Sequence, residues 1–313
     1  MKKQLLSVAL AMTLVAGVSA TDINDLKNGL NTFVNDATKS LPFAASAGLD
    51  WSDAWIGNVV DVPPHFGLGV GGGFTSIPGG TVKPLITALG GDTGGFNDLP
   101  LPFLVLNGRV GGFVLPFDVG FKVGYFPAVT VSGYTINYQN YGVDFRYALV
   151  KGDVLWPTIS VGVGVDYMKA SVEASYGSAL SYSDANYTLN ATAPKATLDV
   201  SALAFEAKAQ VSKTFLFILT PYVGLAAGSG SATAKAGVSS NLTTTAPSLS
   251  YWDKYLGSVT AAGFSKDNTS TPIGFRIYGG TSINIFLLKL DLQGLYNVVD
   301  GGYGLSAGLR FQL

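Results

Sequence analysis

Few residues in this chain have the chemistry to act on a substrate. There is one histidine, His65, and no cysteine. Catalysis through a Ser–His pair needs a base beside its nucleophile, and no second histidine or His-x-Ser pattern accompanies His65. The same counts rule out a His/Cys metal set. Asp92, Asp98, Asp184 and Asp300 are scattered and lack a calcium-loop spacing. The glycines from Gly67 to Gly73 resemble a phosphate-binding loop, but no helix follows them. Four Asn-x-Ser/Thr sites, at Asn186, Asn190, Asn241 and Asn268, are expected by chance in such Asn/Thr-rich stretches. The chain is therefore not expected to be an enzyme, and no cofactor or metal is called for. What remains is a set of charges at alternate positions: Arg109, Lys122, Arg146, Lys208, Arg276, Lys289 and Arg310, with Asp118, Asp144, Asp166, Glu206 and Asp291.

Each of these charges stands between apolar neighbours. Period two puts alternate residues on opposite faces of a β-strand. In the last eleven residues Tyr303, Leu305, Ala307, Leu309, Phe311 and Leu313 share one face, and Ser306, Arg310 and Gln312 share the other. Comparable segments begin near Pro64, Leu101, Phe117, Asn140, Thr158, Ala202, Phe217, Phe275 and Leu288, giving ten strands. Their connections alternate short and long, except for the short ninth, Val298 to Gly302. About ten alternating residues per segment with that loop pattern is the signature of a membrane-spanning β-barrel, with its short turns in the periplasm. The expected fold is all-β: a transmembrane antiparallel barrel of about ten strands, with an N-terminal helical segment. Twelve to fourteen strands is the alternative if the long connections hide hairpins, as around Tyr176 to Tyr187.

Composition agrees. Charged residues are 12% and hydrophobic residues 48% of the chain, with mean hydropathy +0.34. A soluble protein is usually about a quarter charged. Yet beyond the N-terminus no uncharged apolar run is long enough to cross a bilayer as a helix. A net charge of −1 gives no basic footprint for nucleic acid. Met1-Lys2-Lys3, the apolar stretch Leu5–Val18 and the small residues Val18-Ser19-Ala20 read as a cleaved export signal.

Three regions follow: residues 1–20 as signal peptide, 21–63 as a helical plug or periplasmic segment, and 64–313 as the barrel. Apolar residues at Ile23, Leu26, Leu30, Phe33, Val34, Ala37 and Leu41 predict an amphipathic helix ending near Leu41-Pro42. It either enters the lumen or lies against the periplasmic rim. The nearly all-glycine inner face of the first strand leaves room for something, and the irregular stretch Trp51 to Asp61 is expected to enter ahead of the helix.

Residues 64–313 resemble the bacterial outer-membrane β-barrel class. The terminal Tyr303-x-Leu305-x-Ala307-x-Leu309-x-Phe311-x-Leu313 is similar to the C-terminal assembly signal of such proteins, although its last residue is Leu313 rather than an aromatic. The resemblance implies an outer-membrane location, assembly by the barrel-insertion machinery, and outer-membrane lipids as partners. An N-terminal plug ahead of a barrel is similar to some transporters in architecture only. The inward charges Arg109, Lys122, Arg146, Glu206, Lys208, Arg276, Lys289, Asp291 and Arg310 are the candidate lumen lining. They read as a pore wall that selects solutes, or as a salt-bridged network that fills a narrow barrel. The first function expected is passive or gated passage of a small or hydrophobic solute. The alternative is a structural or adhesive surface barrel whose extracellular loops bind an external ligand.

Overall fold

The computed structural model describes residues 20–56, 65–78, 98–112, 115–131, 134–153, 155–175, 179–183, 188–193, 195–245 and 262–313. Residues 1–19 of the expected signal peptide lie outside the described residues, as do Pro63, Pro64, Asp92, Asp184 and Asn186. One helix, α1 (Ala20–Ser46), precedes fourteen strands: β1 (His65–Ile77), β2 (Leu99–Gly111), β3 (Phe117–Val131), β4 (Tyr134–Lys151), β5 (Thr158–Ser175), β6 (Leu180–Ser183), β7 (Thr188–Ala191), β8 (Lys195–Ser212), β9 (Leu219–Ser240), β10 (Leu242–Thr245), β11 (Ala262–Ser270), β12 (Ile273–Ile285), β13 (Leu288–Asn297) and β14 (Tyr303–Gln312).

Ten strands close a ring, in the order β1-β2-β3-β4-β5-β8-β9-β12-β13-β14 and back to β1, with every pairing antiparallel. Closure leaves no unpaired edge, which is what a sheet in hydrocarbon requires. β1 and β14 meet from the two ends of the ring, Val70 opposite Leu309. β11 continues the line of β12 by pairing with the upper half of β9.

The alternation seen in the sequence sets the two faces. Leu68, Leu106, Val143, Phe205, Leu290 and Leu309 point outward and are exposed. The outer surface is thus apolar at mid-height. Outward tyrosines such as Tyr125, Tyr141, Tyr167, Tyr296 and Tyr303 gather toward the long-loop end, and Trp156, Phe217 and Phe286 stand out at the short turns. Aromatic girdles at both edges of an apolar band are the mark of a barrel at two lipid–water interfaces.

Three expectations are corrected. The helix does not end at Pro42. It runs to Ser46 with Pro42 inside it, because Leu41, Phe43, Ala44 and Ala45 stay packed in the barrel and that burial outweighs the lost backbone bond at proline. The strand after Lys213 begins at Leu219, not Phe217. Leu216 and Phe217 have φ of 50° and 62°, which turns the chain there. The long connections are shorter than expected, since β8 and β9 continue to Lys195 and Ser240. A hairpin is indeed present at Leu180–Ala191, but β6, β7 and β10 form a separate three-stranded sheet at the long-loop end, so the ring stays at ten.

Candidate functional site: the filled lumen

The N-terminal segment runs down the inside of the ring from one end to the other. At the long-loop end, Asn268 Nδ2 donates to Thr38 Oγ1 (3.1 Å) and Ser40 Oγ to Asp300 Oδ2 (2.6 Å). Near mid-height, Lys122 Nζ donates to the carbonyls of Ala45 and Ala47 (2.6 and 2.7 Å). Toward the short turns, the Ile56 amide donates to Asp118 Oδ2 (2.9 Å), and Trp55 lies edge-on to His65 at 6.3 Å between ring centres. The helix therefore lies toward the long loops, not on a periplasmic rim, and residues 47–56 thread the rest. Phe33, Val34, Ala37 and Leu41 are buried while Asn28, Thr32 and Lys39 are exposed, so the helix enters by its apolar face, and residues 49–56 are enclosed throughout.

Two kinds of wall receive this segment. The upper inner face of β8 and β9 is a column of small apolar residues: Val200, Ala202 and Ala204 with Ala226, Ala232, Ala234 and Ala236. Their short side chains leave width for a helix of about 10 Å diameter, and the apolar stripe of α1 packs there. An expectation of polar inward positions passes over this column. Its signal is present in the sequence: alanines at inward parity, where a water-filled channel would carry polar groups.

Below it the wall is ionic, and the sequence-predicted residues come together. Arg109 reaches Asp118 (2.6 Å) and Asp144 (2.9 Å), and Arg146 shares Asp118 (2.9 Å). Lys122 pairs with Asp166 (2.9 Å) and Lys208 with Asp144 (2.6 Å). Arg276 pairs with Glu206 (2.8 Å), and Arg310 with Asp291 (2.7 Å). All these side chains are almost wholly buried.

The network includes the luminal segment, which sequence reasoning did not place in it. Asp50 accepts from Lys208 (2.9 Å) and Arg276 (2.5 Å). Asp53 accepts from Lys289 (2.7 Å) and Arg310 (2.9 Å). The segment's carbonyls are also taken up: Leu49 by Arg109, Trp51 by Gln210 and Asp53 by Arg146. Two guanidinium groups lie over the Trp51 ring, Arg310 at 4.5 Å and Arg109 at 5.7 Å from its centre, and its Nε1 donates to Asn107 (3.1 Å).

Two small cavities flank the segment. One cavity of about 40 Å³ lies among Phe43, Ser46, Glu206 and Arg276, and another of about 30 Å³ among Trp51, Asn107, Asp291 and Arg310. Each has room for a water or two. Among the described residues no cluster of three metal-ligating side chains occurs, and His65 sits buried beside Gly112 rather than facing a serine.

The sequence model of the Lsa36-like family matches residues 95–313, from just before β2 to the C-terminus. The chain belongs to the Lsa36-like family. No curated protein sequence matches it. Similar solved structures are all distant from this Lsa36-like chain. The translocator domain of the autotransporter NalP from Neisseria meningitidis is 9% identical, covers 96% of this chain and 99% of its own, and has a TM-score of 0.36. A major outer membrane protein from Thermus thermophilus is 10% identical over 80% of this chain and 100% of its own, TM-score 0.33. Ail, the attachment invasion locus protein of Yersinia pestis, is 10% identical over the same shares, TM-score 0.30.

Proposed function

We propose that the chain is an outer-membrane barrel closed by its own N-terminal segment, and that displacing this plug opens a narrow passage for a small solute. The observation that carries the reading is the way the plug is held. It shares no strand ladder with the ring. It is bound by ion pairs and side-chain hydrogen bonds to Asp50, Asp53 and the carbonyls around them. Buried ion pairs add little net stability over apolar packing of the same volume. A barrel that only needed filling could use apolar side chains throughout, as the alanine column does. A charge-paired plug can exchange its partners for water and ions when it leaves.

Planar-bilayer recording tests this. The full-length protein should be silent at rest, and deletion of residues 33–56 should give steady conductance from barrels that still run heat-resistant on gels. A heat-resistant deletion that stays silent would overturn the reading.

A second reading is a surface barrel that acts through its long-loop end. It is supported by the β6–β7–β10 sheet and by the extension of β8, β9 and β11 beyond the apolar band. In that case no solute moves, and an external ligand binds intact cells through the long loops. No enzymatic step belongs to either reading, and assembly by the barrel-insertion machinery belongs to both.

A further inference from the structure

The buried wall of the lumen has two positive charges to spare, and the plug sets two of its carboxylates, Asp50 and Asp53, against it. Among the described residues, the buried inner wall holds the seven cations and five carboxylates named above with Lys289; Lys151, over the Trp55 ring at the short-turn rim, is exposed and lies outside this set. Asp50 and Asp53 make up the difference. Each sits in its own seat: Asp50 between Lys208 and Arg276, Asp53 between Lys289 and Arg310. The four cations come from β8, β12, β13 and β14, which with the uncharged inner face of β9 between them form one continuous arc of the ring. The seats thus line one side of the lumen, and each pairs a point-charge ammonium with a guanidinium fork that fits a carboxylate or phosphate.

We propose that these two seats are binding sites for a small anionic solute bearing carboxylate or phosphate groups, and that Asp50 and Asp53 occupy them in the closed state. The proposal rests on the plug-gated reading and names the class of solute. When the plug leaves, Lys289 loses its carboxylate partner outright, and Lys208, Arg276 and Arg310 each lose one of theirs. An uncompensated buried charge is costly, and a narrow low-dielectric passage concentrates ions of the opposite sign. An anion that fills the seats therefore competes with the plug and stabilises the open state.

The test uses the full-length D50N/D53N variant beside the wild type, with two readouts. The first is thermal unfolding in detergent with inorganic phosphate or succinate, against chloride at matched ionic strength. Phosphate or succinate should raise the Tm of the variant by several degrees and leave the wild type unmoved. The second is the reversal potential across a tenfold KCl gradient in a planar bilayer, where the variant should prefer chloride over potassium. Stabilisation with a silent bilayer would keep the anion seats and overturn the gating. Potassium-selective current without stabilisation would keep the passage and overturn the anion class. Neither effect in protein that runs heat-resistant on gels would overturn the proposal. If the double variant does not assemble, D53N alone removes the carboxylate charge from one seat, and absence of a phosphate- or succinate-dependent rise in its Tm has the same force.

Discussion

The indole of Trp51 stands where a side chain on Gly67 would have to go. A Cβ built on Gly67 would lie 2.8 Å from the ring and 2.9 Å from the Phe311 carbonyl of the neighbouring strand. At Gly67 the bare inner face of β1 is therefore a seat for the plug, whereas at Gly69 and Gly73 the neighbouring strands take up the space. Gly67→Val should weaken plug docking by about 1–3 kcal/mol, the usual cost of overpacking. Bilayer recording should show intermittent openings absent from the wild type. Adding Trp51→Ala should restore heat-resistant assembly where Gly67→Val reduces it. Unchanged recordings would mean that the ring has another place to go.

Asp118 links Arg109, Arg146 and the Ile56 amide. Asp118→Asn leaves two buried guanidinium groups short of a counter-charge, and breaking such a pair typically costs about 3–5 kcal/mol. Asp36→Asn, which removes the half-exposed pair with Lys39, should cost under about 1 kcal/mol. Denaturant midpoints in lipid vesicles check the contrast. Equal midpoints would show that the inner network contributes little to stability.

Leu290 faces outward between Ile283 and Leu309, whereas Gln293 faces the lumen beside Ser306. Leu290→Arg places a charge in hydrocarbon at about 2–4 kcal/mol and should sharply reduce insertion. Gln293→Arg should still insert. A pulse-chase comparison of folded and unfolded gel bands reads both, and similar losses would mean that the facing of β13 is reversed.

The plug descends from the long loops to the short turns, so the start of α1 and the long loops share a side of the membrane. An epitope after Thr21 and one near Asn241 should both label on intact cells. Labelling of the second alone would contradict the threading. Labelling of neither before permeabilisation would invert the orientation.

The ring is legible in the sequence because lipid outside and charge inside impose a strict period of two, which fixes the inward parity of Arg109, Lys122, Arg276 and Arg310 without any contact being known. The strand ends are not. Residues 229–240 are mostly Ala, Ser, Gly and Thr on both faces, and in residues 195–201 the outward set is polar, Lys195, Thr197, Asp199 and Ser201, so the apolar-outward pattern is lost where the strands leave the apolar band. The helix end differs from expectation because proline's local cost is set by sequence while the burial of Phe43, Ala44 and Ala45 is set by the barrel. Asp50 and Asp53 cannot be assigned from spacing, because nothing local marks two carboxylates as partners of cations more than 150 residues away.

A chain that passes down the middle of its own ring sets a constraint on biogenesis. β1 follows the luminal stretch after only residues 57–64 and is one of the two strands that meet at the β1–β14 seam, the pairing most distant in sequence. A ring zipped shut first would have to admit a helix with Phe33 and Leu41 on its face through a bore that has no spare width. An open, curled sheet can instead wrap around the helix and join its last strand to its first afterwards. Ring closure and internal loading then become a single event, and each finished barrel leaves the assembly step with its N-terminal segment already inside.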